Sequence, residues 1–114
     1  MTSCIFCDRA SLQILTENTL AFAIRDKFPV RPLHTLILPK RHERDGLELT
    51  GGELAAVFDL ARTMRDQILD EDATVGGFNF GLNSGGVAGQ KIAHAHFHLI
   101  PRRADEAPPP PAQR

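Results

Sequence analysis

Three histidines at alternate positions, His94, His96 and His98, are the residues of this sequence best equipped for chemistry. An extended segment sends alternate side chains to one face. A strand from Ile92 to Ile100 therefore presents all three imidazoles together, roughly 6 to 7 Å apart, and turns Ala95, Phe97 and Leu99 into the core. A solvated strand face has no reason to choose histidine where Thr, Ser, Lys or Glu would serve. Two uses fit better. Two or three of the rings can ligate a metal ion. Alternatively, a neutral imidazole attacks phosphorus while a neighbouring ring neutralises a phosphate oxygen or protonates a leaving group. Just upstream, Ser84 to Lys91 reads Ser-Gly-Gly-Val-Ala-Gly-Gln-Lys. Gly85, Gly86 and Gly89 leave the backbone open to close approach, so amides there can converge on an anion, with Asn83 on the polar parity of the preceding strand. A glycine loop this close to a histidine row reads as a phosphate cradle beside a nucleophile.

Cys4 and Cys7 cannot build a disulfide framework, and in a reducing compartment such a pair reads as metal-binding or redox-active. Two thiolates fill half of a tetrahedral zinc site, and histidines are available for the rest. The competing reading makes Cys4 a terminal thiol and Cys7 a small hydrophobe. His42, beside Lys40 and Arg41, has a surface histidine as its rival reading. His34, opening a strand, has a backbone-bonded one.

The elements that must hold these residues are legible from periodicity. Leu20–Ile24 and His34–Leu38 are short apolar runs bounded by Arg25-Asp26-Lys27 and by Pro29, Pro32 and Pro39, which predicts two strands joined by a constrained loop. Thr50-Gly-Gly-Glu53 matches a capping box. Behind it Leu54, Val57, Phe58, Ala61, Met64 and Ile68 recur at helical spacing, predicting one amphipathic helix over about 53–70 with Asp59, Arg62, Arg65 and Asp66 on its solvated side. Phe78 to Asn83 alternates with period two, placing Phe78, Phe80 and Leu82 on one face. Strand, strand, helix, strand, strand describes a small α+β domain with a mostly antiparallel sheet, because the short connections leave little room for crossovers.

The chain of 114 residues, 42% apolar and 24% charged, has the composition of one globular domain. A chain this long buries about two-thirds of its unfolded surface without disulfides. We assign the domain to residues 1–103 and a flexible, Pro-rich tail to 104–114, where four consecutive prolines forbid helix and sheet ladders. A formal net charge of -1 implies no broad electropositive surface for duplex nucleic acid. The absence of Trp and Tyr leaves only Phe and His to stack on a single strand. There is no apolar run fit to span a bilayer and no signal-peptide pattern at the start, so a cytoplasmic protein without membrane contact is expected.

Together these residues resemble the histidine-triad (HIT) superfamily, whose signature of three alternating histidines with apolar spacers is similar to His94-Ala-His-Phe-His-Leu-Ile100. His34-Thr-Leu-Ile-Leu-Pro-Lys-Arg-His42 resembles the family's second strand, and Asn83 to Gln90 has its Asn-x-Gly and Ala-Gly-Gln spacing. The resemblance implies a HIT-like fold and a homodimer whose protomers each bind a purine nucleotide. It also implies hydrolysis or nucleotidyl transfer at the α-phosphate of a nucleoside polyphosphate or phosphoramidate, through a covalent nucleotidyl-histidine, of the kind catalysed by dinucleoside polyphosphate hydrolases and histidine-triad nucleotide-binding proteins. By motif position His96 is the nucleophile, and His98 contacts the phosphate or the departing oxygen. Asn83, Gly89, Gln90 and Lys91 match the phosphate-binding set. Asp26 falls where ribose hydroxyls are bound, a role that competes with that of a turn residue before Pro29. The family places His34 near the active-site face. Cys4-Ile-Phe-Cys7 resembles the zinc-containing bacterial branch, which implies a structural, non-catalytic zinc on Cys4, Cys7, His42 and His94. Lys91 departs from the Ser or Thr common at its position, either pairing with an outer phosphate or pointing to solvent. Two other readings remain open: a nucleotide-binding regulatory module with vestigial catalysis, and a metal-binding protein whose histidine row is wholly ligand.

Overall fold

A computed structural model describes residues 4–108. Five strands, β1 (Thr16–Glu17), β2 (Ala21–Arg25), β3 (Thr35–Pro39), β4 (Val75–Leu82) and β5 (Phe97–Arg103), form one sheet in the order β1-β2-β3-β5-β4 with every neighbouring pair antiparallel. One helix, α1 (Gly51–Glu71), connects β3 to β4. This is the expected α+β class, with the helix where the capping box predicts it. Thr50 Oγ1 accepts from Glu53 N–H at 3.1 Å, and Glu53 Oε1 accepts from Thr50 N–H at 2.9 Å.

Two expectations are corrected. First, a crossover does occur. Since β5 is antiparallel to both β3 and β4, those two strands run parallel to each other, and α1 is the long connection between them. Second, the histidine segment is not one strand from Ile92 to Ile100. Residues 92–94 form a bend, and regular pairing begins at Phe97 and runs on to Arg103. Ala95 N–H donates instead to the Glu43 carbonyl at 2.6 Å, so the segment carrying His94 and His96 is held by a loop rather than by a sheet ladder.

The two faces of the sheet have different cover. Ala21, Ala23, Ile37, Phe97 and Leu99 pack with Val57, Leu60, Ala61, Met64 and Ile68 of α1. Leu60 belongs to this stripe. Phe58, expected in it, is 44% exposed and meets Phe80 edge-on. Phe22, Ile24, Leu36 and Leu38 line the opposite face beneath Phe6, with Cys4, Leu12, Ile14 and Ile92 packed around them. The amino-terminal segment therefore roofs the face onto which His98 projects.

At the carboxyl end, Ala104 N–H donates to the Thr74 carbonyl, while Glu106 meets Arg31 Nε at 2.9 Å and the Arg103 amide at 2.5 Å. The rest of the predicted tail, 109–114, lies outside the described residues. Among the described residues no helix is long and apolar enough to cross a membrane.

Candidate active site and metal centre

Backbone carbonyls decide what each histidine offers. His94 is fully buried, and its Nε2 donates to the Pro39 carbonyl at 2.8 Å, so the neutral ring turns the lone pair of Nδ1 the other way. That atom lies 3.5 Å from the sulfurs of both Cys4 and Cys7 and 3.3 Å from His42 Nδ1, which is itself 3.2 Å from Cys7 Sγ. Zinc bond lengths in a tetrahedron give edges of about 3.3 Å between two nitrogens and about 3.6 Å between nitrogen and sulfur. The four residues expected from the sequence thus lie together, with ligand atoms all within 4.8 Å, in a donor set and at spacings that fit a tetrahedral metal site.

His96 is held the same way with the nitrogens reversed. Its Nδ1 donates to the His94 carbonyl at 2.7 Å, leaving the lone pair on Nε2. Phe6 packs edge-on against both His94 and His96, with centroids 6.0 and 5.4 Å away, fixing the two rings from the roof side. The His98 ring is 5.1 Å from that of His96, closer than ideal strand spacing because His96 precedes the regular part of β5.

His34 was the residue whose part the sequence left undecided, and it proves both backbone-bonded and close to the histidine row. It is 2% exposed, and its Nδ1 accepts the Val30 N–H at 3.0 Å, so in the neutral ring Nε2 carries the proton. That Nε2 lies 2.9 Å from His98 Nδ1 and 3.5 Å from Asp26 Oδ2. The chain Val30, His34, His98 therefore makes His98 Nδ1 an acceptor and leaves Nε2–H as the donor it presents. Burial lowers the pKa of His34 and of His98, and the charges of His96 and His34 add to the effect at His98. Leu33 enables the arrangement by taking a left-handed conformation, φ 70°, just before His34.

Asp26 also serves its turn, accepting the Phe28 N–H on Oδ1 at 2.9 Å. In the glycine loop, Gly85 (φ 93°) and Gly89 (φ 102°) adopt backbone conformations costly for other residues. The amides of Gly85, Ala88, Gly89 and Gln90 are bonded within the loop, whereas Lys91 N–H has no protein partner among the described residues. Gln90 accepts from Gly85 N–H and donates to the carbonyls of Arg44 and Ile92, so its side chain shapes the loop. Asn83 is exposed, its amide packed close over Gly89, and Lys91 is exposed. Across the sheet from His98 stands Gly81, where an added Cβ would meet nothing within 4 Å. Sequence reasoning did not single out Phe6, Gly81 or Arg41, because nothing in their local patterns points to the site.

An imidazole lone pair on His96 beside the imidazole N–H of His98 suits nucleophilic attack on an anionic phosphorus centre. The HIT domain profile matches residues 9–105. The chain is 32% identical over 108 residues to adenosine 5'-monophosphoramidase of Schizosaccharomyces pombe, covering 91% of this chain and 77% of that one. It is 31% identical over 91 residues to the asymmetrical bis(5'-nucleosyl)-tetraphosphatase of the same organism, covering 80% and 50%. A zinc-bound histidine triad family protein from Mycobacterium smegmatis superposes with a TM-score of 0.81 at 27% identity, covering 91% and 78%. On its motif, its fold and these matches, the chain belongs to the HIT domain family.

Proposed function

We propose that this protein is a nucleotide hydrolase or nucleotidyl transferase acting at the α-phosphate of a purine nucleoside polyphosphate or phosphoramidate. The single observation that carries the reading is the His96 Nδ1 bond to the His94 carbonyl, 2.7 Å, which leaves Nε2 free as a nucleophile beside His98. The phosphoramidase and tetraphosphatase relatives support the two substrate classes.

His96 Nε2 donates its lone pair to phosphorus, and the bond to the leaving group breaks with its electron pair. A phosphate leaving group departs as the anion, helped by a hydrogen bond from His98 Nε2. An amine additionally takes one proton from solvent before it departs, and neutral His98 keeps its Nδ1 as acceptor of the His34 N–H. Water then attacks phosphorus, His96 leaves as neutral imidazole, and one water proton passes to solvent. The protein supplies position and charge more than covalent novelty. Asp26 binds the ribose hydroxyls, and Asn83, Gly89, Gln90 and Lys91 form the phosphate side, with the Lys91 amide open to an oxygen.

Cys4, Cys7, His42 and His94 hold a structural zinc, whose bonds tie the amino-terminal roof to the nucleophile's segment. The protein works as a homodimer, supported by the free edge of β4 and by a shallow apolar surface around Phe58, Phe78 and Phe80.

The test is mass spectrometry of protein quenched during turnover of an adenosine phosphoramidate and a dinucleoside polyphosphate. A nucleotidyl adduct in the wild type, lost with activity in His96→Ala, is expected. Turnover without an adduct, or full activity in His96→Ala, overturns the mechanism; nucleotide binding without turnover makes the protein a binding module instead.

A further inference from the structure

Five consecutive residues after β3 each reach a different part of the site. Arg41 bonds Glu53 of α1, His42 enters the metal cluster, and the Glu43 carbonyl receives Ala95 N–H. The Arg44 carbonyl receives Gln90 Nε2 at 2.7 Å, and Asp45 Oδ1 receives Ser84 Oγ at 2.6 Å. His42 itself is exposed, and its ring touches the cluster on one side only, edge-on to His94 with Nδ1 near Cys7 Sγ. Its two neighbours are both tied down, Glu43 through its carbonyl to Ala95 and Arg41 through its side chain to Glu53.

Arg41 forms a two-pronged pair with Glu53, Nε to Oε2 at 3.0 Å and Nη2 to Oε1 at 2.9 Å, and places Nη1 3.3 Å from Glu43 Oε1. The Glu53 side chain is nearly buried, and its place is set by the helix through the capping box with Thr50. A planar guanidinium on a fixed carboxylate sets direction as well as distance, which a lysine in its place does not. Ordering in advance the segment that carries an exposed ligand removes a conformational cost that metal binding would otherwise bear.

We infer that the Arg41–Glu53 pair is a positioning device for the metal centre: the start of α1 sets Glu53, Glu53 sets Arg41, and Arg41 sets His42 against Cys4, Cys7 and His94. This rests on the zinc reading above. The same strap, through Glu43 and Ala95, carries the backbone whose carbonyl holds His96.

Three variants of the full chain separate this role from general stability. Glu53→Gln keeps a side chain able to complete the capping box but removes the charge; Arg41→Lys keeps the charge but removes the fork; Thr50→Ala weakens the helix cap and leaves the pair. Zinc affinity is measured by chelator competition, with zinc itself as the probe, and stability by thermal unfolding of the metal-free proteins. Glu53→Gln and Arg41→Lys are expected to weaken zinc binding about 10-fold, the low end of what loss of a residue bonded directly to a ligand costs, because the pair acts on His42 through the backbone. Their double variant is expected to lose no more than the worse single, because the two residues act as one unit. Thr50→Ala is expected to unfold earlier yet hold zinc nearly as the wild type does. If the two pair variants lose zinc affinity only in step with Thr50→Ala at matched stability, the positioning role is overturned while the zinc site stands. A wild type that takes up no zinc removes both.

Discussion

His34 Nε2 lies 2.9 Å from His98 Nδ1, and the proton on that bond belongs to His34, because the Val30 amide already occupies the other nitrogen. Replacing His34 by Gln leaves His98 free to choose its tautomer. We expect kcat to fall on the order of 10²-fold, the lower end for loss of proton-transfer assistance, with KM little changed. Steady-state kinetics decide; a rise in KM alone with kcat intact would move His34 to substrate binding.

Burial depresses the pKa of both His34 and His98, so folding favours their neutral forms. The stability they contribute is present above the unfolded histidine value of about 6.5 and is lost as pH falls through the lower folded values. Thermal unfolding between pH 8 and 5 should show this loss, reduced in His34→Gln. Glu53 adds a separate acid limb. Arg41 holds its carboxyl down to about 2 from 4.5, so its contribution is complete above 4.5 and disappears as pH drops toward 2. Glu53→Gln should flatten that lower limb only.

Stripping metal from a Cys4, Cys7, His42, His94 site removes binding free energy that exists only in the folded state. At a free zinc concentration about a thousand times the dissociation constant, this is worth about 4 kcal/mol. A chelator should lower the unfolding temperature of the wild type, and of Cys7→Ser much less. Equal responses would place the metal elsewhere.

Gly81 sits directly beside His98 in the sheet, and its vacant side-chain position borders open space. Gly81→Val suits a strand and should fold with stability equal to or above that of the wild type. Its side chain would stand about 5 Å from that of His98, so KM for a nucleotide substrate should rise several-fold. Unchanged kinetics would show that no substrate atom passes there.

Met64 is fully buried beneath the sheet, on the side away from the histidines. Met64→Ala should cost about 2–5 kcal/mol in denaturant unfolding. KM at a temperature where the variant remains folded should stay as it was, since the cavity lies on the other side of the sheet.

The sequence by itself determined the helix and the strand cores, and its family resemblance named the Cys4, Cys7, His42 and His94 cluster that the fold brings together. Thr50 and Glu53 close a cap through neighbouring backbone, period-two and helical spacing are local, and a pair of cysteines three apart can reach one ion in many folds. It did not determine that β5 would insert between β3 and β4, because strand order depends on which apolar faces meet across the whole sheet rather than on the length of any connection. Nor did it show that Pro39 and His94 carbonyls assign the protons of His94 and His96, that His34 assigns that of His98, or that Arg41 reaches Glu53. Each of those bonds joins residues that the fold alone brings together or orients, and hydrogen-bond direction is a property of three-dimensional placement that residue identity leaves open.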